Sequence, residues 1–328
     1  MNSHRLKNPL EEEAGINKIT EKGRPANKRY GLWFLKLLIT AVLLGFVINV
    51  IDISKFISLL QNVHLGYFAS AIFLYFLAQL VSVLRLRYYL AHEGMTASNL
   101  YMNKLYFAGM FFNTFLPGTI TGDGYIAYRL YRRHDIKIGT ALRRMLSTRA
   151  SGLFCLLGYV IIMLFFLPLP SISDMETKLL SWIWDYWNLL LSIAGIVLVI
   201  GYIYSALYIL KEPFSMQCGA LPYSMIVHGL NVLVTVAILA ALPDSSLDNW
   251  IAYTILFFLA GVASLLPITV GGVGIREIFF VLATAYFAID VEIGVALSFV
   301  FFVVNLLVSL PGLITYWSLD YNPVAVKT

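Results

Sequence analysis

Residues 115–126 read FLPGTITGDGYI, and residues 265–276 read LLPITVGGVGIR. When the two stretches are aligned, a proline, a threonine and two glycines coincide: Pro117 with Pro267, Thr119 with Thr269, Gly122 with Gly272 and Gly124 with Gly274. Two similar segments follow them in the chain, DIKIGTAL at 135–142 and DVEIGVAL at 290–297. The equal spacing of the matching residues within the clusters and the similar segments after them indicate an internal duplication. We therefore look for the function at these two Pro/Gly clusters.

The composition of the chain is that of a membrane protein. Of its 328 residues 59% are hydrophobic and 12% charged, with a mean hydropathy of +0.79, whereas a soluble domain carries about 25% charged residues. Several apolar runs reach the ~20 residues that a helix needs to cross a bilayer, and they do not alternate as barrel strands do. We therefore predict an all-α integral membrane protein with no sizeable soluble domain.

Six membrane spans are predicted from the apolar runs. They cover residues 32–51, 65–84, 146–167, 189–210, 223–242 and 294–317. Lys and Arg concentrate before the first span, after the second and before the third, and the positive-inside rule assigns such segments to the cytoplasm. We expect a multi-pass protein of the cell inner (cytoplasmic) membrane with both termini in the cytoplasm. The net charge of +5 thus reflects topology, and no base-stacking motif suggests a nucleic-acid partner.

Each Pro/Gly cluster is predicted to be the tip of a re-entrant or broken-helix hairpin. Basic residues flank 105–128 on both sides, so this segment should enter the membrane and return on the same face. Its two half-helices of about 12 residues would each be ~18 Å long and reach the bilayer middle. The flanks of the second hairpin lack Lys and Arg, which predicts an opening to the outside, although its segment is also long enough to span twice.

Each repeat then holds two spans, a hairpin and a third span. Three crossings place the two repeats in opposite orientations, so we predict a polytopic helical bundle with two inverted repeats, a plan that recurs in transporters. The predicted divisions are a disordered cytoplasmic tail (1–29), membrane repeat 1 (30–168), an external link (169–186), membrane repeat 2 (187–318) and a cytoplasmic carboxyl-terminal tail (319–328).

The backbone of the two tips is expected to be irregular and to face the bundle interior, because unpaired backbone groups are costly in lipid. The glycines would supply positive φ angles and close backbone approach. Half-helices should start near Tyr125 and Ile275, where their amino termini favour a phosphate or carboxylate. The predicted tip residues are Pro117, Gly122, Gly124, Pro267, Gly271, Gly272 and Gly274.

Five charged residues near the tips are predicted to bind the substrate: Asp123, Arg129, Arg149, Arg276 and Glu277. An unpaired charge at the bilayer centre costs at least ~2.5 kcal/mol, so Asp123 should meet a cation or cap the half-helix. Structural alternatives stay open, namely capping by Asp123, an ion pair of Arg276 and Glu277 with Asp123, and a purely topological Arg149. No catalytic constellation, metal site or cofactor motif stands out, and none is predicted.

The chain resembles the transmembrane region of lysylphosphatidylglycerol synthases, a flippase-like family that also occurs as stand-alone membrane proteins. Three stretches carry the resemblance: residues 117–123, the segment Arg149-Ala-Ser-Gly152, and the more specific LPITVGGVGIRE at 266–277. Ile126 and Thr148 stand where the family often has a basic residue and a Glu. The resemblance implies movement of a modified phospholipid between leaflets, while the synthase activity belongs to a separate soluble domain.

We expect a flippase-like transporter of a phospholipid or other anionic lipid, whose headgroup is held at the half-helix amino termini. Two other functions stay open. One is a membrane-embedded enzyme of lipid or glycan metabolism with Asp123 and Glu277 as acid/base groups, and the other is a non-transporting scaffold for envelope assembly. The expected partner is the lipid cargo, and a homo-oligomer or a separate lipid-modifying enzyme is compatible with the sequence.

Overall fold

A computed structural model describes residues 26–115, 121–167, 186–243, 245, 247–264, 274–283, 287 and 289–320. Every regular element within these residues is a helix. The α-helices are α1 (Ala26–Val50), α2 (Ile53–Gln61), α3 (Leu65–Ala91), α4 (Asn99–Phe115), α5 (Thr121–His134), α6 (Ile138–Phe166), α7 (Trp187–Tyr204), α8 (Phe214–Ala241), α9 (Trp250–Ala263), α10 (Ile275–Ala283), α11 (Val291–Ser309) and α12 (Pro311–Asp320). A π-helical turn, Ser205–Ile209, continues α7.

Five helical segments are long and apolar enough to cross a membrane, namely α3, α6, α7 with its π-helical turn, α8, and α11 with α12. The bent pair of α1 and α2, which meet at 94°, raises the number to six. These segments correspond to the six predicted spans, and the prediction of an all-α multi-pass membrane protein is confirmed.

The link between the first two spans contains a helix that the sequence reading missed. In α2 the Asp52 side chain accepts hydrogen bonds from the backbone nitrogens of Ser54 (2.9 Å) and Lys55 (3.2 Å), so it caps the first turn. The Leu59 side chain of this helix is buried in the core. Capping and one apolar face are therefore sufficient to order the link as a short helix across the end of the bundle.

Chain segments that were predicted to share a membrane face contact each other. Lys55 of α2 forms ion pairs with Asp290 and with Glu292 (3.3 Å), which precede and begin α11. At the opposite end of the bundle Arg144 of α6 bonds to Glu93 (2.7 Å) and to Glu212. This grouping agrees with the predicted sidedness, and the assignment of each end to a membrane face stays a prediction.

Helices α3 and α8 form the most extensive helix pair and run antiparallel. At one end the backbone nitrogen of His64 donates to the Ala241 carbonyl (2.8 Å), and at the other the Tyr89 hydroxyl donates to the Gln217 side chain (2.8 Å). Since α3 continues to Ala91, Arg85 lies inside a membrane-spanning helix. The predicted second span ends at residue 84, so the sequence assigned Arg85 to the link that follows.

The first hairpin consists of α4 and α5, packed antiparallel at a glycine contact. A Cβ atom built on Gly122 would lie 1.8 Å from the Gly109 carbonyl oxygen, so only glycine permits this approach. Helix α5 starts at Thr121, four residues before the predicted start, which places Gly122 and Gly124 inside its first turn. Neither has a positive φ, so the expectation of left-handed backbone at these two positions is wrong.

The second hairpin consists of α9 and α10, which contact each other and α11. Gly274, directly before α10, has a φ of +90°, as predicted for this position. With 14 residues in α9 and 9 in α10, each helix is shorter than the ~20 residues of a full span. The tip residues Pro117, Pro267, Gly271 and Gly272 lie outside the described residues. The inverted relation of the repeats stays a prediction.

Candidate functional site

A cavity of about 370 Å³ lies where the two hairpins approach the long helices. Residues of seven helices line it: α3, α4, α5, α6, α9, α10 and α11. Both halves of the chain therefore contribute to one site. Among the described residues of the lining, the charged ones are Arg85, Asp123, Arg149 and Arg276.

Asp123 and Arg149 form an ion pair within the lining of this cavity. The Arg149 Nε atom lies 2.7 Å, and an Nη atom 2.6 Å, from the same Asp123 carboxylate oxygen. Asp123 belongs to the first turn of α5, where a negative charge is favoured by the helix dipole. Arg149 is the twelfth residue of α6, about 17 Å along the helix from its start. It is therefore more than a topological charge at a helix end.

Asn113 of α4 positions the start of α5 beside this ion pair. Its side-chain oxygen accepts a hydrogen bond from the Gly122 backbone nitrogen (2.7 Å), and its amide nitrogen lies 3.4 Å from the second Asp123 oxygen. One of the amino-terminal N–H groups of α5 is therefore already satisfied by a side chain. Asn113 thus links α4 to α5 by side-chain hydrogen bonds, as polar residues in membrane helices commonly do.

Arg276 is the second residue of α10, and its guanidinium lies beside a pair of aromatic rings that contact each other. The Cζ atom is 6.0 Å from the ring centre of Phe257 and 5.4 Å from that of Phe301, within the range of cation–π attraction. Its Nε is buried without a hydrogen-bond partner, and no carboxylate of the described residues forms an ion pair with it. The ion pair of Arg276 with Asp123, which the sequence left open as an alternative, is not formed.

Glu277 follows Arg276 and caps the start of α10. One carboxylate oxygen accepts from the Gly274 backbone nitrogen (2.7 Å), and the other accepts from the Ser298 hydroxyl of α11 (2.7 Å). The first of these bonds is the return contact of a capping box, from the third helical residue to the capping residue. Glu277 is not among the residues that line the cavity.

Arg129, the remaining predicted site residue, also lies away from the cavity lining. It is the ninth residue of α5, and its guanidinium carbon lies 5.8 Å from the ring centre of Tyr125. Of the five charged residues predicted from the sequence, the structure therefore brings three together around one cavity: Asp123, Arg149 and Arg276.

Arg85 of α3 completes the charged lining and was not predicted as a site residue. Its Nη1 donates to the Ser224 hydroxyl of α8 (3.0 Å), while its Nε is buried without a hydrogen-bond partner. Gly152 of α6 leaves room for this guanidinium, because a Cβ atom there would lie 3.1 Å from Nη1. The sequence signal was available, since the apolar helical run continues past Arg85 through Leu86 and Leu90.

Uncharged polar side chains surround the four charged ones. The Tyr75 hydroxyl donates to Asn305 (2.8 Å), and the Asn305 amide lies 3.4 Å from the Thr114 hydroxyl. The Tyr106 hydroxyl donates to Gln79 (3.1 Å). All five residues line the cavity. The site thus offers a positively charged surface with neutral amides and hydroxyls beside it.

Comparison with models of known protein families gives a match over most of the chain. The family model described as lysylphosphatidylglycerol synthase TM region matches residues 33–312, which is 280 of the 328 residues. The matched range contains both hairpins and every residue of the cavity lining. A comparison with curated proteins gave no match.

Proposed function

Because this chain belongs to the lysylphosphatidylglycerol synthase transmembrane-region family, we propose that it is a flippase-like transporter. It moves an anionic lipid between the leaflets of the cell inner membrane and holds the headgroup in the cavity between the two hairpins. The observation that carries this proposal is the charge of the cavity, which three arginines and one already paired carboxylate line.

The charges in the cavity favour an anionic ligand. Arg85, Arg149 and Arg276 contribute three positive charges and Asp123 one negative charge, which leaves two positive charges. Charged side chains at membrane depth are costly, and they mark substrate pathways when they face a bundle interior. A lipid phosphate would offset this charge, since a guanidinium binds phosphate oxygens through two parallel hydrogen bonds.

Guanidinium groups are better placed than backbone N–H groups to hold the headgroup. The Gly122 N–H group already donates a hydrogen bond to Asn113, and the Gly274 N–H group already donates one to Glu277. The helix dipoles of α5 and α10 still add positive potential at their starts. In this proposal the two helix starts position Asp123 and Arg276, and the arginines make the contacts.

The enzyme alternative finds less support in the site. It requires Asp123 and Glu277 to act as acid and base around one phosphate. Glu277 is engaged by Gly274 and Ser298 and is not in the cavity lining, whereas Asp123 is held by Arg149. General acid–base catalysis needs both groups within hydrogen-bond reach of the substrate. No observation on the described residues favours the scaffold alternative.

Reconstitution into liposomes tests the proposal. Vesicles with fluorescent phosphatidylglycerol should show redistribution between leaflets, read by an impermeant quencher, with unchanged lipid mass. Arg85→Gln should slow this exchange at least about tenfold, because a hydrogen bond to a charged group contributes ~1.5–3 kcal/mol. Arg87→Gln is the matched control, since Arg87 is exposed on the same helix and does not line the cavity.

Two results would contradict transport. Exchange no faster than in protein-free vesicles would remove the transport activity itself. A new covalent lipid product, seen as a change in lipid mass, would support the enzyme alternative instead. A different result, equal slowing by Arg85→Gln and Arg87→Gln, would show that transport does not depend on the charge of the cavity.

A further inference from the structure

The cavity also carries information about the headgroup, beyond its negative charge. On the basis of the proposed function, we infer that the headgroup is a phosphate bearing neutral hydroxyl groups, as in a glycerol- or sugar-phosphate lipid, and that a cationic aminoacyl headgroup is disfavoured. Three features of the cavity lead to this inference: the engagement of its carboxylate, its neutral polar side chains and its volume.

The first feature is the absence of a carboxylate that could hold an ammonium group. Among the described residues of the lining, Asp123 is the single acidic side chain. One of its oxygens accepts two bonds from Arg149, and the other faces the Asn113 amide at 3.4 Å. A cationic headgroup would therefore meet only a carboxylate whose charge Arg149 already balances, while facing the two other arginines of the cavity.

The second feature is the chemistry of the neutral side chains. Gln79, Thr114 and Asn305 carry amides and a hydroxyl, and the Tyr75 and Tyr106 hydroxyls stand beside them. Amides and hydroxyls both donate and accept hydrogen bonds, as the hydroxyl groups of a glycerol or sugar do. Arginine only donates and matches the phosphate oxygens. The lining thus provides separate partners for the charged and the neutral parts of such a headgroup.

The third feature is the size of the site. A volume of about 370 Å³ lies near the lower end of the ~300–1,000 Å³ that small-molecule pockets occupy. This space suits a headgroup and not a whole lipid with its acyl chains. Selection by this cavity would consequently act on headgroup chemistry, where two lipids that differ by one aminoacyl group can be told apart.

Competition binding on purified protein tests the inference. Bound fluorescent phosphatidylglycerol is displaced by unlabelled phosphatidylglycerol or by lysylphosphatidylglycerol, which differ only in the lysyl group. We expect phosphatidylglycerol to compete at a concentration at least about tenfold lower. Equal or tighter binding of the lysyl lipid, or no binding of either lipid, would overturn the inference.

A single-group variant sharpens this test. Gln79→Glu adds a carboxylate to the cavity without changing its shape, and it keeps the oxygen that accepts from Tyr106. The preference for phosphatidylglycerol should fall several-fold in this variant. Gln61→Glu makes the same change at an exposed position on α2 and should leave the preference unchanged. Equal preferences in both variants would contradict the role given to the cavity lining.

The binding and transport experiments fail separately. Selective binding of phosphatidylglycerol without leaflet exchange in liposomes would overturn the proposed function and leave the headgroup inference in place. Leaflet exchange with equal binding of the two lipids would overturn the headgroup inference and leave transport in place.

Discussion

The starts of α5 and α10 lie in the two aligned Pro/Gly clusters of the sequence and use their charges in opposite ways. In α5 the acidic residue faces the cavity, and Asp123 receives its cation from Arg149 of α6. In α10 the basic residue faces the cavity, and Arg276 lies beside the rings of Phe257 and Phe301. The acidic residue of α10, Glu277, turns back to cap its own helix.

The difference follows from helix geometry. Neighbouring residues on an α-helix point about 100° apart, and here Arg276 lines the cavity whereas Glu277 does not. Glutamate at the third helical position is placed to bond the capping residue, which leaves the second position for the ligand. A charged residue after a glycine cluster therefore does not identify a binding residue until its position in the first turn is known.

The glycines at the starts of α5 and α10 also have different roles. Gly122 lies inside α5 and permits the close approach of α4, whereas Gly274 precedes α10 with a φ of +90°. At Gly274 a Cβ would also lie 2.9 Å from the Leu43 side chain of α1. One position thus needs glycine for packing and the other for its backbone conformation.

The largest expected effect is at Gly122. Gly122→Ala places a methyl group against the Gly109 carbonyl, and overpacking of this kind costs ~1–3 kcal/mol or more. Gly124→Ala is the matched control, because nothing lies within 4 Å of its added Cβ, and Ala in a helix is favoured over Gly by up to ~1 kcal/mol. Thermal unfolding of the purified variants measures the difference. Equal stability would show that α4 and α5 do not pack this closely.

An intermediate effect should separate the two acidic residues. Asp123→Asn removes the carboxylate charge that pairs with Arg149, and we expect a loss of about 1–2 kcal/mol, because the Arg149 side chain is still 37% exposed. Glu277→Gln should cost under ~0.5 kcal/mol, since Gln can also form the capping contact. Thermal unfolding and phosphatidylglycerol binding are measured together. A loss of binding in Glu277→Gln with stability retained would place Glu277 at the headgroup.

The smallest effect concerns Asp290, which begins the stretch 290–297 as Asp135 begins the similar stretch 135–142. Burial raises the pKa of the Asp290 carboxyl. Hydrogen bonds with Lys55, with Glu292 and with the Ile293 backbone outweigh this effect and hold the pKa below its ordinary value. The backbone conformations of the two aspartates differ, since Asp135 has a φ of +54° and Asp290 a φ of −84°. The Lys55–Asp290 pair should therefore stabilise the fold above pH ~4, the ordinary range of an Asp. Its contribution should vanish as the pH falls through the lower folded-state pKa.

The variant Lys55→Met tests this pair. Lys55 is 43% exposed, so screening limits the loss of stability at pH 7 to under ~1 kcal/mol. The two proteins should converge in thermal stability as the pH falls through the lowered folded-state pKa of Asp290. A difference that persists at low pH would assign the effect to the packing of the Lys55 side chain and not to its charge.

The sequence predicted the spans well because length and hydropathy decide them. All six predicted spans have helical counterparts, and five pass as full-length spans. It also located three of the four charged residues of the cavity, since a charge beside a Pro/Gly cluster in an apolar chain is rare and costly. Helix α2 escaped prediction because it is short and depends on one capping residue and one buried side chain.

Arg85 and Arg144 were missed for a common reason. Arginines at the end of an apolar run are assigned to the cytoplasmic face by the positive-inside rule, and the rule cannot tell where the helix ends. Only the packing of α3 and α6 shows that Arg85 faces the cavity, whereas Arg144 lies with Glu93 and Glu212 at the end of the bundle. Contacts between residues far apart in sequence decide these roles.

The most direct test of the account is the dissociation constant of phosphatidylglycerol for the Arg276→Lys variant, measured on folded, purified protein beside the wild type. Lysine keeps the positive charge but cannot form the two parallel hydrogen bonds of a guanidinium. We predict binding at least about tenfold weaker, with thermal stability close to that of the wild type. Wild-type binding in both Arg276→Lys and Arg276→Gln, with only stability lowered, would show that Arg276 is structural and that the headgroup is held elsewhere.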